Sequence, residues 1–548
     1  MKKIYPNRLL LAIILFGLMA PLWAQNTVGL LSYDTEKVYE GYNLFFPHNQ
    51  SNVYLLDNCG QIVHTWPDED NWRPGNSAYL TEEGNLIKCK RENASINDPI
   101  WAGGGGAIVE IRSWENELIA SFEQNDSLYR LHHDVALLPN GNILMIVWEN
   151  QTYEAALAAG RDPAKLDRDE LWSEVVWEWD PVADSIVWEW RVWDHLIQDF
   201  DATKDNFGSV AANPQLIDIN YDEHDGHPDW LHINAIAYNP VLDQIILSVP
   251  YFNEVWVFDH GLTTAEAAGP AGDLLYRYGN PAAYQQGTLE DRVFAFQHDC
   301  KWIDPEAQPG DPDFGVLSIF NNRAHDNYSP MVIWNPLQED QSDYLFDGST
   351  FGPTEFIREI AHPDTPAIGV SSGLSSASLL PNGNALILSG RFGFAYEMNT
   401  DDEVVWEYRI PIRAGSPVEQ GTELSVNNNI TFRMDRYAPD HPAFAEKDLT
   451  PQRFWELNPN TDICPLMVVN TDPVIDPAKR FRFFPNPVRE HLQLNLPEGG
   501  SVQLLNAQGR QLRQWSLPEG THDLSLGYLP KGLYFLQSGF QVEQIIVQ

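Results

Sequence analysis

Leu137-Leu138-Pro139-Asn140-Gly141-Asn142-Ile143-Leu144 decides the fold, because the same sentence returns as Leu379-Leu380-Pro381-Asn382-Gly383-Asn384-Ala385-Leu386. Asn-Gly supplies the positive backbone angles of a tight hairpin, so the apolar runs on either side pair antiparallel. Each copy is followed by aromatic strand signals. These are Val175-Val176-Trp177-Glu178-Trp179 and Ile186-Val187-Trp188-Glu189-Trp190 after the first, and Phe394-Ala395-Tyr396-Glu397 and Val404-Val405-Trp406-Glu407-Tyr408 after the second. Weaker copies begin at Tyr79-Leu80, Ala237-Tyr238 and Trp302-Ile303. Tryptophan brings the broad apolar area that lets one small sheet pack on the next. Units of a few short strands repeated in this way indicate a β-propeller or a β-solenoid, and long irregular insertions favour the propeller. Five unit starts are visible. A sixth is expected from residues 53–57 and 61–66 pairing with the region of residues 429–458. The expected fold is therefore all-β, a six-bladed β-propeller, with one helical insertion at residues 153–160.

Around this repeat, 548 residues are enough for one large and one small domain. The composition, 43% hydrophobic and 12% aromatic, supports a sizeable core. A formal charge of -43 excludes nucleic acid and anionic membrane as natural partners, and obliges any anionic substrate to find local donors or cations. Lys2, Lys3 and Arg8 precede the apolar run 9–19, and Ala24 closes a plausible cleavage site, so residues 1–24 read as a signal peptide. No later stretch is long and apolar enough to span a membrane. Export permits disulfides among Cys59, Cys89, Cys300 and Cys464, with three pairings open. The large domain is placed at 25–465 and a linker at 466–482. From Phe483-Phe484-Pro485-Asn486-Pro487 onward tryptophan nearly disappears, and residues 483–548 read as a small β-sandwich with strand signals at 502–506, 509–510, 524–526 and 532–536.

Three histidines stand at one register of the repeat: His133 before Leu137-Leu138, His232 before Ala235-Ile236, and His298 before Cys300-Lys301-Trp302. Gly75 and Ser375 take the equivalent places in the flanking units. Inner strands of a propeller line its central channel, so the three imidazoles are expected to converge at the channel mouth. Such a set could hold a zinc ion with one open position, or one ring could attack an electrophile while the others bind it and move protons. Asp299, next to His298 on a strand, would point away from it. Residues 222–227 (Asp-Glu-His-Asp-Gly-His) read as a solvated acidic loop, since their spacing fits no standard calcium loop. Gly103-Gly104-Gly105-Gly106 reads as a flexible turn, not a phosphate cradle.

The ordered stretches His132-His133-Asp134, Asp229-Trp230-Leu231-His232-Ile233-Asn234, Gln297-His298-Asp299, Ser376-Ala377-Ser378-Leu379-Leu380 and Phe432-Arg433-Met434-Asp435-Arg436-Tyr437 resemble the aryl-sulfate sulfotransferase family. That resemblance implies an exported six-bladed propeller that moves a sulfuryl group from a phenolic sulfate donor to a phenol acceptor. It implies a transient sulfohistidine and neither a nucleotide cofactor nor a resident metal. By motif, His298 would be the nucleophile, with His232 and His133 completing the catalytic set and Asn234, Arg323, His132 and Asn322 binding substrate. Related enzymes carry an arginine in the strand after His-x-Asn, where this chain has Ser248-Val249-Pro250-Tyr251; Arg323 is the expected replacement. The C-terminal stretch resembles the sorting domain of the type IX secretion system, on its Asn-Pro entry and Leu529-Pro530-Lys531-Gly532-Leu533-Tyr534. It implies passage through that machinery to the cell surface or the medium. Two rivals stand beside this reading. One is a non-catalytic binding propeller, for which His298 would be dispensable; the other is a metal-dependent sulfate-ester hydrolase, which would lose activity to chelators.

Overall fold

The computed structural model describes residues 26–464 and 481–548, apart from 70–71, 93–98, 101, 169, 365–368, 498, 507–510 and 539–540. The expected signal peptide, most of the linker and the strand signal at 509–510 lie outside the described residues. The chain divides into two compact units, Met1–Cys464 and Pro465–Gln548.

Among the described residues the first unit holds six antiparallel sheets of four or five strands and two small two-stranded ones, one of them parallel. In chain order the first sheet runs from Trp72–Leu80 to Leu118–Glu123, and the second from Tyr129–Leu137 to Ser185–Arg191. The third runs from Ala235–Asn239 to Tyr276–Tyr278, and the fourth from His298–Trp302 to Arg358–Ile360. The fifth, Ser376–Leu379 to Val404–Arg409, gains Gly29–Tyr33 as an added strand on its far edge. The sixth combines both ends of the unit. Thr431–Tyr437 pairs with Tyr42–Pro47, which leads to Val53–Asp57 and Gln61–Trp66, and Arg453–Phe454 closes the outer edge. The pairing expected between the N-terminal strands and the region of 429–458 is thus present, with Tyr42–Pro47 as its link.

The hairpin sentences form as their chemistry requires. Leu138 N–H donates to Asn142 O and Gly141 N–H to Leu138 O, with Gly141 at φ +88°, while Gly383 takes the same place at φ +84°. The helical insertion is Tyr153–Ala158, its first turn capped by the Thr152 hydroxyl. Aromatic residues fill the seams between sheets. Phe122 meets Trp179 between the first and second, Trp190 stacks on Phe258 at 4.1 Å between the second and third, and Tyr278 meets Trp334 between the third and fourth. Aliphatic and tyrosine side chains join the fourth to the fifth, Phe45 meets Tyr408 between the fifth and sixth, and Trp66 meets Trp114 where the sixth returns to the first. A disulfide joins Cys59, in the sixth sheet, to Cys464; Cys89 and Cys300 are free and buried.

In the second unit a three-stranded sheet and a four-stranded sheet share one apolar core, including Leu492, Leu494, Val502, Leu504, Leu524, Leu536 and Ile545.

Candidate active site

The first strand of each sheet in the large unit is tied to its neighbours by buried polar bonds. Ser77 Oγ donates to Asp134, Ile236 N–H donates to Asp134, and Asn234 Nδ2 donates to Gln297 O (2.8 Å). Ala377 N–H donates to Asp299, and Ser376 Oγ to Met434 O. These strands are not regular where they meet. Pairing slips between His298 and Lys301, between Pro74 and Ala78, and opposite the His132 to Asp134 stretch. Asn76, His133, His232, Phe296, Asp299, Leu374 and Ser375 all have positive φ. Left-handed residues in strand bulges re-aim side chains, and such strain gathers at functional sites.

These bulges bring the expected histidines together, although not at one common strand position. His133 lies inside its strand, His232 stands in the loop before its strand, and His298 opens its own. The His133 and His232 rings are 4.6 Å apart, and Phe432 lies 6.0 Å from both His133 and His298. Each ring has its own backing. His232 Nδ1 meets Asp229 Oδ2 at 2.5 Å, a carboxylate that also accepts from Trp148 Nε1. His133 Nδ1 lies 2.8 Å from His132 Nδ1. His132, expected at the substrate, sits behind His133 instead: its ring is stacked on Trp148 at 3.9 Å and its side chain is fully buried.

His298 is the best determined of the three. Its Nδ1 lies 2.8 Å from Asn322 Oδ1, and the Asn322 amide nitrogen donates to Ser371 O and Leu374 O, so Oδ1 must accept and Nδ1 must carry the proton. Nε2 keeps its lone pair and receives Leu374 N–H at 3.2 Å. Burial, with His232 and Arg391 nearby, pushes His298 down to about 3, and burial also holds His132 and His133 well below the ordinary imidazole range. A neutral imidazole with one fixed tautomer can attack an electrophile through Nε2. Asn322 is therefore placed to orient His298, whereas Asn234, fully buried, links the His232 and His298 stretches.

Asp299 does turn away, as its strand position suggested. It bonds Lys301 (2.9 Å) and Arg433 (2.9 Å), and Arg433 also grips Asp134 (2.8 Å). This buried network lies between the histidines and a cavity of about 190 Å³ whose lining, including Tyr79, Tyr238, Cys300 and Lys301, belongs to positions further along the same strands. Arg323 stands at the edge of the site. Its guanidinium lies 3.7 Å over the Phe296 ring and its Nε donates to Ser372 O. The guanidinium whose field reaches His298 is that of Arg391, a residue the sequence reading did not single out.

Two other readings change. The glycine run is no loose turn, because it presses bare backbone on the histidines. A Cβ on Gly104, at φ +77°, would fall 1.9 Å from His133 Nε2, and one on Gly103 would fall 3.7 Å from His232 Cε1. The segment 222–227 is not merely solvated: Asp222 pairs with Arg161, Glu223 with Arg292, and the His224 ring lies tilted against Tyr251 at 3.8 Å. Tyr251, where relatives were expected to carry arginine nearby, stacks in parallel on His232 at 4.7 Å, and Phe296 completes the wall. Among the described residues no three His, Cys, Asp or Glu side chains group as a metal set.

A histidine cluster with one neutral imidazole of fixed tautomer can hold an electrophile and attack it. The family described as Arylsulfotransferase (ASST) matches residues 32–344, more than half of the chain, and the chain belongs to it. Residues 482–548 match the secretion system C-terminal sorting domain. That tail marks the protein for export to the cell surface or the medium, and among the described residues no helix is long and apolar enough to cross a membrane. No curated protein matches the chain. Similar solved structures include a protein of unknown function from Bacteroides caccae (12% identity, 68% of this chain and 93% of that one, TM-score 0.37). Others are a streptogramin B lyase (10%, 76% and 96%, 0.33) and apo AztD from Citrobacter koseri (9%, 73% and 99%, 0.32).

Proposed function

We propose that residues 25–465 form a six-bladed propeller, joined through residues 466–482 to a C-terminal sandwich at 483–548, and that the propeller transfers a sulfuryl group between phenols through His298. The family supplies the chemistry of donor and acceptor. The observation that carries the assignment to His298 is its tautomer, fixed by Asn322, which leaves the lone pair on Nε2, where only the long bond from Leu374 N–H meets it. In the first half-reaction Nε2 attacks sulfur, the S–O bond to the donor ring breaks, and the phenoxide leaves with a proton from a protonated His232. In the second, the acceptor phenol returns that proton to His232, its oxygen attacks sulfur, and the N–S bond breaks to restore neutral His298. Asp229 steadies the charge on His232 before the proton leaves and after it returns. Leu374 N–H, already aimed at Nε2, is the nearest donor for a sulfuryl oxygen. The released donor phenol departs before the acceptor enters, which is a ping-pong cycle.

The test is a chromogenic aryl sulfate supplied with and without a phenol acceptor, followed by intact mass. Release that depends on acceptor, with a transient gain of one sulfuryl group lost in His298→Ala, is the expected result. Acceptor-independent release that a chelator stops would point to hydrolysis instead, and release unaffected by His298→Ala would end the proposal.

A further inference from the structure

The mouth of the histidine site carries more than its three rings need. Tyr251, His224 and Phe296 form a continuous aromatic wall leading away from His232, with Phe296 5.6 Å from His224 and 6.0 Å from Tyr251. The wall ends under Arg323, whose guanidinium covers Phe296. Arg391 also stands beside the loop of residues 371–375. Arg323 Nε holds Ser372 O, and Arg391 Nη2 would lie 3.4 Å from a Cβ on the adjoining Gly373. Both guanidiniums therefore border the short loop whose Leu374 N–H meets His298.

Neither cation is neutralised. Among the described residues neither forms an ion pair; Arg391 Nη1 donates to the neutral Asn427 side chain (3.1 Å), and its buried Nε has no partner. Three buried arginines in the same unit are matched: Arg277 with Glu254, Arg161 with Asp222, Arg433 with Asp134. Burial, and after it the nearby Arg391, lowers the Arg323 guanidinium from its ordinary value, which fits two cations close to one another. In a molecule of formal charge -43, two guanidiniums without an ion pair, Arg323 exposed and Arg391 half-buried, offer an anion a place beside the aromatic wall.

We propose that Arg323 and Arg391 bind a second anionic substituent on an aryl ring lying along Tyr251, His224 and Phe296, so that the site selects aryl sulfates bearing a further carboxylate or sulfate. This rests on the preceding reading in one respect, that the first anionic group sits at the histidines. The span from His232 along the wall to Arg323 sets the substrate as a flat ring charged at both ends. Its plane is held by stacking and its far end by paired N–H donors.

The experiment uses the full chain and two ligands that cannot transfer, 4-sulfobenzoate and benzenesulfonate, compared by calorimetry. The dianion is expected to bind about tenfold tighter or more, and the Arg323→Gln, Arg391→Gln double variant to bring the two affinities together. Equal affinities in the unaltered protein, no binding of either ligand, or a difference that survives in a folded double variant would overturn the inference. The unaltered protein decides the matter even if the variant does not fold. Its preference should shrink as salt rises from about 0.05 to 0.5 M, and a preference indifferent to salt would also count against the arginines. The two proposals fail separately. Sulfuryl transfer with equal affinities sinks only this inference, and a clear dianion preference without transfer sinks only the mechanism above.

Discussion

At His298 one hydrogen bond does most of the chemical work. Asn322 can only accept at Oδ1, because its amide nitrogen is occupied twice, so it dictates which imidazole nitrogen is free. Asn322→Leu should therefore lower kcat about 100-fold or more while KM changes little, measured with a chromogenic donor under saturating acceptor. The depressed pKa gives a second prediction, with a definite sign. A group held down near 3 is already neutral throughout the working range, so single-turnover labelling of His298 should show no acid limb between about pH 5 and 8. An acid limb near pH 6.5 that persists in His232→Gln would assign an ordinary imidazole to the nucleophile and contradict this. Gly104 is the third case. Alanine there is strained by φ +77° and collides with the His133 ring, so Gly104→Ala should cost about 1–3 kcal/mol in urea unfolding and displace His133 from the site.

The elements were largely legible because their signals are local. Asn-Gly at 140–141 and 382–383 and the aromatic strands after them form the second and fifth sheets where their spacing indicated. Less visible was what happens at the head of each first strand. A bulge turns residues through positive φ, and no residue type from His133 to Leu374 announces it, so the common register read from spacing became three different strand positions. That Tyr251, His224 and Arg391 stand at the site was not legible for a related reason. Each stands on a loop between strands, and only the packing of different sheets brings them together. Gly390-Arg391-Phe392-Gly393, directly after a strand, was the one signal for the arginine. The seams between sheets carry their own prediction. Trp190, fully buried, stacked on Phe258 and bonded through Nε1 to Gly272 O, should cost about 3–5 kcal/mol as Trp190→Ala. Val187→Ala, on a residue 48% exposed in the same strand, should stay within about 0.5 kcal/mol by the same denaturant titration.

For the molecule as a whole, the two ends of the large unit matter most. Strands from residues 29–66 complete the fifth and sixth sheets, and Cys59 is bonded to Cys464 across a separation of 405 residues. The sequence left three pairings open because pairing depends on this closure, which brings chain ends together. Replacing Cys59 by serine should lower unfolding free energy by about 2–5 kcal/mol, read from denaturant midpoints at equal slope, with the fold retained. Cys464 is the last residue of its unit, so a cut made downstream of Pro465 would leave the bond untouched. The bond also makes the enzyme a covalent loop with a free tail. A protease that nicks any exposed connection between residues 59 and 464 would leave both fragments tethered, running as one band until a reductant is added and as two afterwards.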